Sequence, residues 1–335
     1  MQLYEKNART ENDALPTVSQ KTLNSIDDVD NELLRSIEKG TLKKLVIAYD
    51  LDRTEEKHSP FLRICRITDR IDFDIEFAPE VTSIDSLFEG CVLTSLPKTM
   101  DISRIRNVNL MFSDSIIDTP LNLDLKKAET LQGMFSYAEI NAPLNLDLKK
   151  TETLQGMFLR ADINAPLKID APSAVSMRKM FETAEINQKI TFSPQTRPAD
   201  VFEMFADAII QVSPDLDLKK AEDLTGMFRD ASIYAPLNIN APSAESMSEM
   251  FMGANISAEI TFSPEPRPAD VRKIFENALV NVIPDISIAT DYDLPAMYRQ
   301  RSKEYERRKA ERQEHRPSFK KMAICALTIF ACPGP

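Results

Sequence analysis

An aromatic ring returns every 23 or 24 residues along most of this 335-residue chain, usually with Met directly before it. The ring positions are Phe88, Phe112, Phe135, Phe158, Phe181, Phe205, Phe228, Phe251, Phe275 and Tyr298. A chain of this length ordinarily divides into two or three globular domains. A fixed internal period overrides that expectation, because a stacked array grows by coils and needs no separate cores.

Aligning the coils on the ring shows which positions face inward. Four residues before it every coil is apolar, as at Val108, Leu131, Leu154 and Met177. Three after it every coil through Ala278 is small, from Cys91 and Ser115 through Ala138, Ala161 and Ala184. Five after it stand Leu93, Ile117, Ile140, Ile163 and their successors. Leu131, Met134, Phe135 and Ala138 lie three and four apart, which predicts one face of a short helix. Leu144, Leu146 and Leu148 alternate with Asn145 and Asp147, which predicts a short strand. Each coil then buries about five to seven apolar side chains, a gross gain of ~1.5–3 kcal/mol each. Ordering its residues costs roughly 1–2 kcal/mol apiece. One coil therefore cannot fold alone, and stacking supplies the missing burial.

The flanks are different. Residues 1–20 are polar and unpatterned and are expected to be a disordered leader. Residues 21–70 read as an N-terminal cap of helix plus strand. Ser25 is the expected N-cap, Ile26, Val29, Leu33, Leu34 and Ile37 fall at helical spacing, and Leu42–Tyr49 follows as a strand. The solenoid is assigned to 71–298. Residues 299–335 form a basic helical tail with a short apolar C-terminus. Within the array, Ala171-Pro172-Ser173-Ala174 returns as Ala241-Pro242-Ser243-Ala244, and Arg197-Pro198-Ala199-Asp200 as Arg267-Pro268-Ala269-Asp270. Both offsets are 70 residues (241 − 171 and 267 − 197), so a block of three coils has been duplicated.

The unit Leu-Asp-Leu-Lys-Lys-Ala-Glu-Thr-Leu-Gln-Gly-Met-Phe at 123–135 resembles the leucine-rich repeats of BspA-type bacterial surface proteins. The resemblance covers about residues 71–298. It implies a right-handed parallel solenoid and a role in adhesion or protein recognition. The expected fold is thus an α/β repeat solenoid: a leucine-rich-repeat-like array of about ten 23–24-residue coils, with a parallel β-sheet on one face, an N-terminal α/β cap and a C-terminal basic helix.

Net charge is -11. Residues 299–321 oppose it with 10 basic and 4 acidic side chains, 10 − 4 = +6. An acidic body argues against nucleic acid as the solenoid's partner. The four cysteines, Cys65, Cys91, Cys325 and Cys332, lack metal-ligand spacing and only two histidines exist, so neither a metal site nor a disulfide framework is expected. Cys91 reads as the first coil's small core residue. No phosphate-cradling Gly-rich loop, Cys-His pairing or HExxH motif is present, so no catalytic residue, cofactor or enzymatic activity is expected.

The expected partner surface is the polar side of the strand column: Asn122, Asp124, Asn145, Asp147, Lys168, Asp170, Asp215, Asp217, Asn238 and Asn240. Carboxylates stacked at about 4.8 Å repel by roughly 1 kcal/mol per pair even in water, which favours a protein or peptide with a basic surface. Neighbouring lysines such as Lys126 and Lys149 are the competing source of neutralisation. Lys320-Lys321 and the apolar run with Cys325 and Cys332 mark the alternative, a membrane-associated scaffold held through its tail. The N-terminus has no apolar signal region, and the eleven-residue apolar run (322–332) is too short to span a bilayer. Those features fit a cytoplasmic protein or one exported by a non-classical route, with surface association as the alternative.

Overall fold

Leu144, Leu146 and Leu148 do what alternation requires: residues Leu144–Asp147 form a strand whose leucines are buried and whose Asn145 is exposed. The computed structural model describes residues 17–51, 60–97, 99–262 and 270–280. All lie in the first of two compact units, Met1–Ile288. Tyr298 and the tail, with Lys320, Lys321, Cys325 and Cys332, lie outside the described residues.

The strand column pairs in parallel and in register. Leu121–Asp124, Leu144–Asp147, Leu167–Asp170 and Ile190–Phe192 make one four-stranded sheet, each residue beside its repeat mate. Leu237–Ile239 and Ile260–Phe262 make a separate two-stranded sheet. A second, nine-stranded parallel sheet runs from Val92–Leu93 to Leu279–Val280 through two-residue strands such as Glu139–Ile140. It is centred on the Ile column, whose side chains are fully buried from Leu93 to Ile256. Single-residue bridges form a third ladder, running Thr153, Ser176, Asp200, Asp223, Ser246 and Asp270. The expectation of a sheet on one face only is therefore corrected: parallel ladders close around the core on several sides.

The helix expected around each ring is also absent from the described coils. Three consecutive hydrogen-bonded turns replace it: Met134 N–H to Leu131 C=O at 3.2 Å, Ser136 N–H to Gly133 C=O at 2.9 Å, and Ala138 N–H to Phe135 C=O at 3.2 Å. The residues two before and two after the ring have positive φ in every described coil, for example Gly133 (59°) and Tyr137 (60°). Right-handed helix does not admit such residues. The freed N–H groups point along the array instead, as Phe112 N–H does to Met134 C=O at 2.8 Å and Asp114 N–H to Ser136 C=O at 2.9 Å. Three-and-four spacing still places Leu131, Met134, Phe135 and Ala138 inside, where all are buried.

The rings stack into one internal column. Successive centroids from Phe88 to Phe275 are 5.1–5.4 Å apart, and from Phe112 onward the planes lie within 2–7° of parallel. Centroid spacing wider than the strand spacing of about 4.8 Å is the offset-stacked arrangement.

The N-terminal end is built from strands β1 (Gln20–Leu23), β2 (Lys44–Ile47) and β3 (Asp74–Phe77), paired in parallel, with helices α1 (Asn31–Glu38) and α2 (Pro60–Cys65). Ser25 caps a short 3-10 helix at Ile26–Asp28, and Asp30 caps α1 by accepting from the Leu33 N–H at 2.8 Å. Val18 N–H donates to Ser36 Oγ at 2.9 Å. Phe61 of α2 meets Phe88 edge-on at 5.2 Å and so covers the end of the ring column.

Here the cysteine expectation fails. Cys91 is fully buried, as its column requires, but it is not a free thiol: it is disulfide-bonded to Cys65 at the end of α2. Spacing alone missed this because the fold, by stacking α2 on the first coil, brings two residues 26 apart to a Cα separation of 5.3 Å.

Candidate functional site

A parallel in-register ladder lines up identical offsets, so the polar alternates of the strand column form rows on the outer surface. Asn122, Asn145 and Lys168 make one exposed row, and Asp124, Asp147 and Asp170 a half-buried one beside it. Asn145 donates its amide to Asn122 Oδ1 at 2.7 Å, the cross-strand amide bond that such stacking favours.

The aspartates do not stand as bare stacked charges. Lys126 Nζ lies 2.9 Å from Asp124 and 3.7 Å from Asp147. Lys149 Nζ lies 3.6 Å from Asp147 and also contacts Asp170. The lysines thus alternate with the aspartates along the array. The Lys126 hydrogen bond holds the Asp124 carboxyl below the usual carboxylate range, and those of Lys149 and Ser193 do the same for Asp170. Each pair is solvent-accessible and contributes little to stability. A shallow groove of about 390 Å³ runs over these rows.

The remaining predicted residues are not continuous with this surface. Asp215 is exposed and bridges to Thr191 by backbone. Asp217 pairs with Arg197 at 3.1 Å. Asn238 and Asn240 lie beyond a break in the ladder, and Asn238 belongs to the separate Leu237–Ile239 strand.

The break has a cause in the sequence. Nine residues after the ring, four of the coils donate an N–H to the next coil: Leu121 to Pro143 C=O (3.0 Å), Leu144 to Pro166 (3.1 Å), Leu167 to Lys189 (3.1 Å) and Leu237 to Glu259 (3.0 Å). In the Phe205 coil that position is Pro214, which has no N–H to give. The segment 214–218 keeps its bridge to the preceding strand but forms no ladder with Leu237–Ile239. A cleft of about 550 Å³ opens between them. Its floor reaches the core at Phe205, Met227 and Phe228, and Lys189, Asp215, Asp217, Lys219, Asn238 and Asn240 are among its polar lining residues. Leu216, in a column whose members Ile169, Phe192 and Ile239 are buried, is only half-buried. Pro214, in a column that is otherwise aliphatic from Leu121 to Ile260, was the available signal; Pro97 holds the same place in the first coil, and the four-stranded sheet begins only after it, at Leu121–Asp124.

Two other arrangements escaped the sequence reading. Six residues after the ring, Asp118, Asn141, Asn164 and Asn187 form an amide ladder with steps of 2.9, 3.0 and 2.9 Å. Glu203 is buried at a positive-φ turn and is held by Lys179 Nζ at 2.9 Å and by the Arg229 guanidinium. Its signal was charge at the position two before the ring, where several coils carry Gly.

Residues 78–167 and 145–262 match the model of a family described as Mycoplasma protein of unknown function, DUF285. No curated protein and no solved structure matches the chain. No helix among the described residues is long and apolar enough to cross a membrane.

Proposed function

The chain belongs to the DUF285 family, and we propose that it is a non-enzymatic recognition module that holds a protein or peptide partner on the polar strand face of its solenoid. One observation carries this reading. The Asn, Asp and Lys rows at 122–124, 145–147 and 168–170 sit in register on a sheet whose other side is packed into the core. Such rows present fixed donors and acceptors at little further cost in conformational entropy. A partner with a basic surface remains the reading for the aspartates. The Lys126 and Lys149 pairs are weak enough for incoming cations to replace them.

The finer resemblance to BspA-type leucine-rich repeats belongs to this proposal and gives it a setting, adhesion or host contact at a bacterial surface. The Cys65–Cys91 disulfide supports that setting, because such bonds persist in oxidising environments.

The test is affinity capture with the full chain beside the triple variant Asp124→Lys/Asp147→Lys/Asp217→Lys. A partner held by this face is retained by the wild type and lost from the folded variant. Equal capture by both refutes the assignment of the face.

A further inference from the structure

We infer that the break at Pro214 is a binding cleft for an extended acidic peptide, which seats as a strand between segment 214–218 and the Leu237–Ile239 strand. This goes beyond the recognition reading: it is a second site on the strand face, apart from the Asp rows and of opposite charge preference. In the regular ladder, groups at odd offsets from the ring face the following coil: Leu125 N–H donates to Asp147 C=O at 3.1 Å and Leu148 N–H to Asp170 C=O at 2.8 Å. At the break, the Leu216 N–H and C=O and the Leu218 N–H face Asn238 and Asn240 across the cleft and are not joined to them, while the Leu218 C=O accepts from the Ala221 N–H at 2.9 Å. Main-chain donors and acceptors left unpaired in this way form the template that an added strand completes.

Two further observations narrow the occupant. The rings of the same two coils remain 5.4 Å apart, and Ile209 and Ser232 still pair on the nine-stranded sheet, so the opening is a wedge confined to the strand face. Its accessible apolar lining, the half-buried Pro214 and Leu216 above the buried Phe205 and Phe228, suits an inward-pointing side chain of an alternating segment. At the mouth, Lys189 and Lys219 make no ion pair among the described residues, whereas Asp217 is already engaged by Arg197. Asp215 at the same mouth offsets one of these two lysines, so the uncompensated charge is 2 − 1 = +1, and it complements an acidic residue on the incoming strand.

The chain's own strand sequence supplies the probe: a fluorescent, end-blocked peptide of residues 142–148, Ala-Pro-Leu-Asn-Leu-Asp-Leu, titrated into the full protein. Saturable binding is expected. N-methylation at Asn145 and Leu146 of the peptide, which blocks both of its edges, weakens binding about tenfold or more, because ladder hydrogen bonds are lost. Pro214→Leu restores the missing donor, closes the ladder and weakens binding to a similar degree. Amide exchange over 216–218 and 238–240 slows when the peptide is added. Asp124→Lys/Asp147→Lys leaves the titration unchanged, which separates this site from the unbroken strip. Absence of binding by the wild type overturns the inference. So does indifference to N-methylation, indifference of a folded Pro214→Leu variant, unchanged exchange, or loss of binding in the Asp124/Asp147 variant.

Discussion

Replacing Gly156 by Ala separates the two ways of building the ring segment. Gly156 lies two residues before Phe158 with φ at 60°, and a Cβ built there meets nothing within 4 Å. The substitution therefore changes backbone preference without adding a clash. Holding Ala in the left-handed region costs roughly 1–2 kcal/mol. The unfolded chain loses freedom at the same time, which returns about 0.4–1 kcal/mol. The net expectation is a destabilisation of about 0–1.6 kcal/mol, centred on ~0.8. Had the segment been the helix that three-and-four spacing predicts, Gly→Ala would instead stabilise it by about 0.8–1 kcal/mol. The sign thus decides the matter. Urea unfolding at 25 °C, compared at unchanged m-value, measures it. Gly133→Ala is the companion variant, since its Cβ would come within 2.9 Å of Leu110 Cδ2 and 3.2 Å of Ser136 Oγ, and it is expected to lose more. A higher midpoint for Gly156→Ala refutes the consecutive-turn account.

The Cys65–Cys91 bond closes a loop of 26 residues, for which chain-entropy reasoning gives about 3.5 kcal/mol; reduction is expected to lower the urea midpoint, and equal midpoints with and without reductant contradict the pairing. Burial, with Asp28 and Asp27 nearby, pushes the Tyr49 hydroxyl up to about 12, and its buried Oη has no hydrogen-bond partner among the described residues. A raised folded pKa means that this contribution is whole below the ordinary value near 10 and is lost as pH rises from there through about 12. Tyr49→Phe is expected to be neutral or stabilising at pH ~8 and to remove this part of the alkaline loss, and unfolding curves of the two proteins with the same pH dependence contradict it.

The period and the inward columns were legible because stacking demands them. Each buried position meets its own copy in the next coil, so Phe135, Ala138 and Ile140 had to recur as ring, small residue and aliphatic. The Leu144–Asp147 strand was legible for the same reason, as was the outward direction of Asn145. The turn geometry was not. Inward positions at −4, −1, 0 and +3 are common to one face of a helix and to three successive turns. Only the signs of φ at positions such as Gly156 and Arg160 distinguish them. Residues as unlike as Gly, Arg, Tyr and Asp occupy those positions, so composition there carries little signal.

The candidate surface divides along the same line. Alternation alone determined which residues face outward, from Asn122 to Asn240. Whether they act together depended on atoms far apart in the chain. Lys126 and Lys149 reach aspartates on neighbouring coils, and the missing N–H of Pro214 splits the ladder before Asn238. Cys65 and Cys91 likewise meet only because α2 packs over the first ring. Local periodicity specifies direction and burial, which each coil settles with its own copy. Charge pairing, strand continuity and disulfide partnership are relations between coils, and the stacked structure alone decides them.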